Sequence, residues 1–436
     1  MKIVIFIFIQ LLTFLSIVVY AQSKELDSLW NLYNNAKHDT NRITLLNEGI
    51  GYVYELIDAD SSILFYKNAI SLADKNKALG NQILFHKATS YLYIGNVYYN
   101  LGNYDDALIN YMYSFEIANK IKNNKILSSC FSNIGLIYSS RANYDSAIYY
   151  YNKALIIKET SNDLDGVYKC FNKIGNVYSE QGIYDKAIEY YMKTLEIAEQ
   201  LNDKKGIAHC FNNIGLVYYY QGSNEKALEY FNKSIKIKDE INDVYGISQT
   251  YNNIGLIYMD QTKLLLKSDS IIVYYDKAID YYQQSLNIAI ELRDKRSITQ
   301  SYSNIGTAFM EKAMFVKNVK DANMLYDKAL YYYNNSLKLD EELQDKNGIA
   351  TVYGNISSLY LLLYNQNNMN QYLQLALENG KKSMILANEI KSASLTYQLS
   401  VILQKVYKKL GNYQKALEYA EISNQTKDTL FSQEKT

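Results

Sequence analysis

One stretch decides the fold of this chain: residues Phe211–Phe231, with the sequence FNNIGLVYYYQGSNEKALEYF. Close copies recur on both sides of it at fixed distances. An Ile-Gly pair returns every 40 residues, with its glycine at Gly95, Gly135, Gly175, Gly215 and Gly255. The same position falls on Gly306 and Ser357 after two longer steps of 51 residues. Self-similarity at such a period indicates a solenoid of stacked repeats.

An alanine marks the second half of each copy. It returns at Ala107, Ala147, Ala187, Ala227, Ala278, Ala329, Ala376 and Ala416. With a weaker first copy around Gly51 and a last copy that has Gln404 at the glycine position, the chain contains nine units. The chain has no proline, so no ring interrupts a helix.

Each unit reads as two helices joined by a short turn. The apolar face of the first helix has the spacing i, i+3, i+4 and i+7, as in Phe211, Ile214, Gly215 and Tyr218. The second helix presents Ala227, Phe231 and Ser234 at helical spacing. We predict that Gly215 and Ala227 lie where the two helices come closest, and that Gly222 ends the first helix in a left-handed conformation. Asn-Asp pairs such as Asn242-Asp243 should cap the next helix.

This pattern resembles the tetratricopeptide repeat, in a longer 40-residue form. The residues that carry the resemblance are Asn213-Ile214-Gly215, Tyr218, Gly222, Ala227, Tyr230-Phe231 and Ser234. It extends from about Arg42 to Asp428, although the terminal proline of the family is missing. The resemblance implies an all-α fold: an α-solenoid in which about nine antiparallel helix pairs form a right-handed superhelix.

The N-terminus has the pattern of a secretory signal peptide. Lys2 precedes an apolar run from Ile3 to Val19, and Val19-Tyr20-Ala21 fits the cleavage site. We therefore predict a signal peptide over residues 1–21, export to the periplasm or the medium, and no direct membrane insertion after cleavage. An uncleaved N-terminal anchor is the alternative. The remaining divisions are a capping helix at 22–41, the repeat array at 42–428 and a tail at 429–436.

Three insertions fall between the paired helices, near residues 262–274, 314–325 and 364–371. The first two add close to three helical turns each, which predicts longer helices instead of loops. They are either tolerated surface insertions or an edge that meets a partner.

A second stripe runs beside the apolar face of the first helix, as in His209, Asn212, Asn213, Leu216 and Tyr220. The resemblance implies that this stripe lines a concave groove in which asparagine amides hold the backbone of an extended peptide. The candidate residues are Asn133, Asn172, Asn212, Asn213, Asn252, Asn253, Asn304 and Asn355, and Tyr93 and Lys173 interrupt the row. Asparagine is common throughout the chain, so the alternative is that some of these side chains are only solvated.

Several functional classes are disfavoured. His38, His86 and His209 are dispersed, and the sequence has neither HExxH nor CxxC nor a glycine-rich phosphate loop, so we expect no enzyme, metal or cofactor. With 45 basic and 45 acidic residues, a general nucleic-acid-binding surface is not expected. The three cysteines, Cys130, Cys170 and Cys210, occupy one repeat position and read as small buried side chains.

The sequence thus favours a non-enzymatic, exported protein-protein interaction scaffold that binds an extended peptide or protein segment. The C-terminal stretch from Asn412 to Phe431 resembles the end of exported sensor regions. The alternative is therefore the periplasmic input module of a split or truncated histidine kinase or similar receptor, with a membrane-bound signalling partner.

Overall fold

The structure, a computed structural model, describes residues 24–55, 57–76, 80–264 and 268–433. Its described residues form helices joined by short turns, without a strand. The predicted signal peptide, residues 1–21, lies outside the described residues. The chain divides into two compact units, Met1–Asp203 (unit 1) and Lys204–Thr436 (unit 2).

Unit 1 begins with a helix over residues 24–35 (α1). In the first pair, a π-helical segment, Leu46–Ile50, joins the short helices α2 and α3, which pack on α4. The later helices alternate between first and second members of a pair. The bounds are α2 Asp39–Leu45, α3 Gly51–Glu55, α4 Ala59–Lys75, α5 Gly80–Asn100, α6 Tyr104–Lys120, α7 Asn124–Ser140, α8 Tyr144–Thr160, α9 Leu164–Glu180 and α10 Tyr184–Gln200.

Unit 2 continues the alternation with five pairs. The bounds are α11 Lys204–Tyr220, α12 Asn224–Glu240, α13 Val244–Gln261, α14 Ser268–Leu292, α15 Lys295–Ala313, α16 Val319–Leu343, α17 Lys346–Asn367, α18 Asn370–Glu389, α19 Ala393–Lys409 and α20 Tyr413–Gln433. In the described part of the chain, the helices therefore form nine consecutive pairs, as the repeat count predicted. Because short turns join the members of a pair, they run antiparallel.

A glycine on the first helix receives an aromatic ring from the second helix of the same pair. A Cβ placed on Gly215 would lie 2.8 Å from a ring carbon of Phe231 and 3.3 Å from the carbonyl oxygen of Ala227. The predicted close approach at Gly215 and Ala227 is therefore confirmed. Six other glycines face a tyrosine in the same way, and the tyrosines are Tyr66, Tyr111, Tyr151, Tyr191, Tyr282 and Tyr333.

The caps and turns also follow the sequence. The side chains of Asp163 and Asp243 each accept the backbone N–H three residues later at 2.9 Å, which confirms them as N-caps. Gly222 has the predicted left-handed backbone, with φ +75°. Ala142 occupies the matching position two units earlier and has φ +55°, a conformation that strains a residue with a Cβ.

The insertions lengthen helices, as predicted. Helices α14 and α16 each have 25 residues, whereas α12 has 17. Helix α20 continues to Gln433, into the segment assigned to the tail at 429–436. In the segment assigned to the capping helix at 22–41, α1 ends at residue 35 and α2 begins at Asp39. These domain bounds stay a prediction. The three cysteines are free and buried, as expected for small core side chains.

Candidate functional site

The candidate asparagines all lie on first helices of the pairs. Within unit 1, α5 contacts α7, and within unit 2 the first helices α11, α13, α15, α17 and α19 contact one another in order. These helices form one continuous surface in each unit, which we call the first-helix face.

In unit 1, a groove of about 450 Å³ opens on this face between α5, α7, α8 and α9. We call it the unit 1 groove; it is lined by, among others, Asn96, Ser129, Ser132, Asn133, Asn172 and Lys173. The candidates Asn133 and Asn172 therefore lie together at one site. The Nδ2 of Asn133 donates a hydrogen bond to Oδ1 of Asn96 at 2.9 Å.

Asn96 was not among the predicted site residues. Its Oδ1 also accepts a hydrogen bond from the hydroxyl of Tyr111 at 2.9 Å, and Asn176 accepts one from Tyr191 at 2.7 Å. Each pair has an asparagine directly after the repeat glycine and a tyrosine 15 residues later. The sequence therefore contained a usable signal, a Gly-Asn pair followed by a tyrosine 15 residues after the asparagine. It identifies asparagines whose amides position these tyrosines.

Two of the three lysines that line the unit 1 groove are neutralised within the fold. Lys158 Nζ lies 2.7 Å from an oxygen of Asp163, and Lys169 Nζ lies 2.7 Å from an oxygen of Asp165. The hydrogen bond from Lys158 is also the main reason that the pKa of Asp163 is below its usual value. These two lysines therefore add little net charge to the groove.

The third lysine, Lys173, has no such partner. Its ammonium makes no hydrogen bond or ion pair with any described residue, and its one contact of this kind is with the ring of Tyr151, 5.6 Å from the ring centre. Burial lowers the pKa of Lys173, and the nearby Lys169 and Lys158 act in the same direction. The groove thus holds one positive charge that the described part of the chain does not neutralise.

In unit 2, three of the candidate asparagines are held by bonds within the fold. Asn252 is buried, its Nδ2 donates to Ser285 Oγ at 2.6 Å, and its Oδ1 accepts from Asn304 Nδ2 at 3.5 Å. Asn212 accepts from Thr250 Oγ1 at 3.3 Å. The amide of Asn252 accordingly joins α13 to α14 within the fold, and its contact with a peptide stays a prediction.

Two other candidates have unengaged amides. Among the described residues, the side chains of Asn253 and Asn355 make no hydrogen bond, although both are half-buried on the first-helix face. Asn213 is half-buried beside the packed Ile214. Among the candidate asparagines of unit 2, Asn253 and Asn355 therefore have amides that are available to another molecule.

A second groove, of about 390 Å³, lies between α15, α16 and α17. Asn304 lines this unit 2 groove together with Arg296, Thr299, Asp340 and Asp345. Asp340 is buried and accepts a hydrogen bond from Ser336 Oγ at 3.2 Å, and burial raises the pKa of its carboxyl group. The carboxyl group of Asp340 therefore lies among the packed helices, at the bottom of the unit 2 groove.

Lys238 shows how unit 2 accommodates a lysine in its interior. It is 2% exposed, and its Nζ donates to the carbonyl oxygen of Gly246 at 3.0 Å and to Thr250 Oγ1 at 2.8 Å. Burial lowers the pKa of Lys238 to about 8, although Asp243 opposes this effect. Both acceptors belong to the fold, so this ammonium is enclosed.

The described ranges contain no group of three or more His, Cys, Asp or Glu side chains that could hold a metal ion. Nor does any helix in this described part combine the length and the apolar character required to cross a membrane.

The comparisons agree with this architecture. The model of the tetratricopeptide repeat family matches residues 86–160 and 170–240. Over these two stretches the chain matches the tetratricopeptide repeat, as the register of its glycines and alanines indicated. Among curated proteins, no sequence matches this one.

Three solved structures share the fold. The apo form of RapI has a TM-score of 0.56 at 16% identity, with 94% of this chain and 99% of that chain covered. The apo form of the quorum sensor NprR from B. thuringiensis has a TM-score of 0.52 at 15% identity, with 94% and 99% covered. A signal transduction ATPase with a tetratricopeptide repeat sensor, from Pyrococcus horikoshii, has a TM-score of 0.54 at 18% identity, with 91% and 56% covered. At these identities the likeness concerns the fold alone.

Proposed function

We propose that this chain is a non-enzymatic protein-interaction scaffold that binds an extended peptide or protein segment along the first-helix face. The observation that carries the proposal is the row of side-chain amides on successive first helices, with those of Asn253 and Asn355 unengaged. A side-chain amide offers a donor and an acceptor together, which is what a peptide unit requires.

The spacing of the repeats suits an extended segment. Packed helices lie about 8–10 Å apart, and an extended chain advances about 3.3 Å per residue. Neighbouring first helices within a unit would therefore meet about every third residue of the bound segment. Amides at this spacing would bind the backbone of the segment instead of its side chains. Selectivity for one peptide sequence over another therefore has to come from other residues on the first-helix face.

The test is selection from a display library of random extended peptides with the full chain, followed by affinity measurement with the recovered peptides. We expect the double variant Asn253→Ala/Asn355→Ala to bind at least about tenfold more weakly, since two hydrogen bonds to the backbone are lost. The matched control is Asn232→Ala/Asn334→Ala, which removes exposed amides on the second helices α12 and α16. Equal affinity for both folded double variants would reject the proposed face, and recovery of no peptide would reject peptide binding itself.

We further propose that the chain is exported and loses residues 1–21. Support comes from Lys2, the apolar run that follows it and the small residue Ala21. Expression of the full gene in its host and intact mass analysis of the exported protein should give a chain that begins at Gln22. A mass that retains residues 1–21 in a membrane fraction would instead favour the uncleaved anchor.

A sensory input module is the alternative form of the same binding function. It is supported by the stretch from Asn412 to Phe431, which resembles the end of exported sensor regions. Sequencing of the DNA downstream distinguishes the two: a continuing frame with a membrane helix and a kinase favours the sensor, and a stop codon with no adjacent receptor gene favours the scaffold.

A further inference from the structure

We propose that a pocket at the start of unit 1 binds a small quaternary ammonium ligand between aromatic rings and carboxylates. The pocket has a volume of about 330 Å³, which suits a small molecule, and lies between the π-helical segment, α3, α4 and α5. Its lining includes Tyr52, Tyr66, Tyr93, Glu48 and Glu55, and we call it the aromatic pocket. This inference goes beyond the proposed peptide binding and does not rest on it.

The first argument is the charge of the aromatic pocket. Neither Glu48 nor Glu55 forms an ion pair with any described residue, and no Lys, Arg or His side chain is among the described residues that line the pocket. Burial raises the pKa of the Tyr93 hydroxyl, and the negative charges of Glu48 and Glu55 raise it further, so both carboxylates act on one ring. A bound cation would offset these two charges.

The second argument is that the first helix pair uses a carboxylate where later pairs use an amide. The hydroxyl of Tyr66 donates to Oε1 of Glu55 at 2.6 Å, whereas the hydroxyls of Tyr111 and Tyr191 donate to asparagines. A neutral amide is therefore sufficient to hold the tyrosine. Because a partly buried charge is unfavourable unless an opposite charge meets it, the charge of Glu55 points to a cationic ligand.

The third argument is that two departures from the repeat meet in this pocket. The described residues contain a single π-helical segment, Leu46–Ile50, and it carries Glu48. Such segments are rare and frequently lie at functional sites. Tyr93 takes the position of an asparagine in the amide row, and its ring centre lies 5.5 Å from that of Tyr66. The pocket therefore has an aromatic wall where later units have amides.

The fourth argument concerns the amides that line the pocket. Asn47 donates to the carbonyl oxygen of His86 at 3.2 Å and accepts from Ser90 Oγ at 2.8 Å. The Oδ1 of Asn96 accepts two hydrogen bonds within the fold. A primary ammonium group has three donors that need acceptors. A quaternary ammonium group has no donor and is held by ring faces and by negative charge, so it fits the aromatic pocket better.

The test is calorimetric titration of the full chain with choline and with its neutral isostere, in which a tert-butyl group replaces the trimethylammonium group. We expect saturable binding of choline in the millimolar range or below. The neutral isostere should bind at least about tenfold more weakly, because it lacks the charge that the carboxylates and ring faces attract. Ethanolamine, the primary amine counterpart of choline, should also bind more weakly than choline.

Three variants test the lining of the pocket. Glu55→Gln removes the charge but keeps an acceptor for the hydroxyl of Tyr66, and it should weaken choline binding about tenfold or more. Tyr93→Asn restores the residue of the amide row and should weaken choline binding about fivefold, since one ring face is lost. Glu225→Gln is the matched control; it removes an exposed carboxylate of α12 and should leave the affinity unchanged.

Four results would overturn the proposal, and none of them touches peptide binding. Absence of saturable choline binding would remove the site. Equal binding of the neutral isostere would show an apolar pocket that does not recognise charge, and tighter binding of ethanolamine would replace the quaternary ammonium with a primary one. Unchanged choline affinity in folded Glu55→Gln and Tyr93→Asn would show that choline binds elsewhere.

Discussion

The side chains of Lys238 in unit 2 and Lys173 in unit 1 are both shielded from water, but only Lys238 has hydrogen-bond acceptors among the described residues. The ammonium of Lys238 donates to a backbone carbonyl and to Thr250, and its side chain is 2% exposed. The ammonium of Lys173 meets an aromatic ring and otherwise faces a groove. An enclosed lysine with its own acceptors belongs to the structure, whereas Lys173 contributes its charge to the unit 1 groove.

The largest expected effect is a reversal of charge at the enclosed lysine. Lys238→Glu would place a carboxylate against the carbonyl of Gly246 and near Asp243, so we expect the free energy of unfolding to fall by about 3–5 kcal/mol. Lys173→Glu is the control; it lies near Lys158 and Lys169, so its loss should be below about 1 kcal/mol. Denaturant unfolding followed by circular dichroism measures both, and equal losses would remove the distinction between the two lysines.

The pH dependence of stability sharpens the same comparison. The folded pKa of Lys238, about 8, is below its unfolded value of 10.5. Between these values the unfolded chain keeps a proton that the folded chain has lost, so stability should rise with pH. Relative to Lys238→Met, wild-type protein should gain about 2–3 kcal/mol between pH 7 and pH 10. Lys153→Met, at an exposed lysine, is the control, and parallel curves for wild type and Lys238→Met would contradict the assignment.

The packing between paired helices should not differ between the units. Added Cβ atoms on Gly175 and Gly215 would each lie 2.8 Å from a ring carbon, of Tyr191 and Phe231 respectively. Gly175→Ala and Gly215→Ala should therefore each lower the free energy of unfolding by about 1–3 kcal/mol. If thermal unfolding shows that one unit tolerates the change and the other does not, the repeat is not equivalent in the two units.

The smallest expected effect concerns a turn of unit 1. Ala142 has φ +55°, whereas Gly182 has φ +71° and open space around it. Ala142→Gly should raise the free energy of unfolding by about 1 kcal/mol, and Gly182→Ala should lower it by a similar amount. Chemical denaturation of the two variants provides the check, and a loss of stability in Ala142→Gly would show that the strain is compensated elsewhere.

The helix pairs could be predicted from the sequence because their main contact is local and periodic. A glycine on one helix and a ring on the next lie within a single repeat, as Gly215 and Phe231 do, so their spacing is visible in the sequence. A capping residue such as Asp243 is only three residues away in the sequence from the backbone N–H that it binds. The same reasoning predicted that added residues would extend α14 and α16.

The sequence did not show which individual polar side chains are hydrogen-bonded or paired within the fold. Asn252 and Asn253 are neighbours of one residue type, yet Asn252 is buried against Ser285 on the lengthened helix α14, and the side chain of Asn253 makes no hydrogen bond with any described residue. In the sequence, Lys173 was only an interruption of the asparagine row. Its surroundings depend on the carboxylate that pairs with Lys158 across the turn from α8 to α9, whereas the pair of Lys169 and Asp165 lies within α9 at i,i+4 spacing.

The most direct test of the central claim is a double-mutant cycle between Asn253 and the backbone of a selected peptide. Affinities would be measured for wild type and Asn253→Ala, each with the peptide and with counterparts methylated in turn at each backbone nitrogen. We predict that at one position either change alone weakens binding about fivefold and that the second adds little to the first. Fully additive losses at every position would show that the two groups do not meet and would contradict an amide row that holds a peptide backbone.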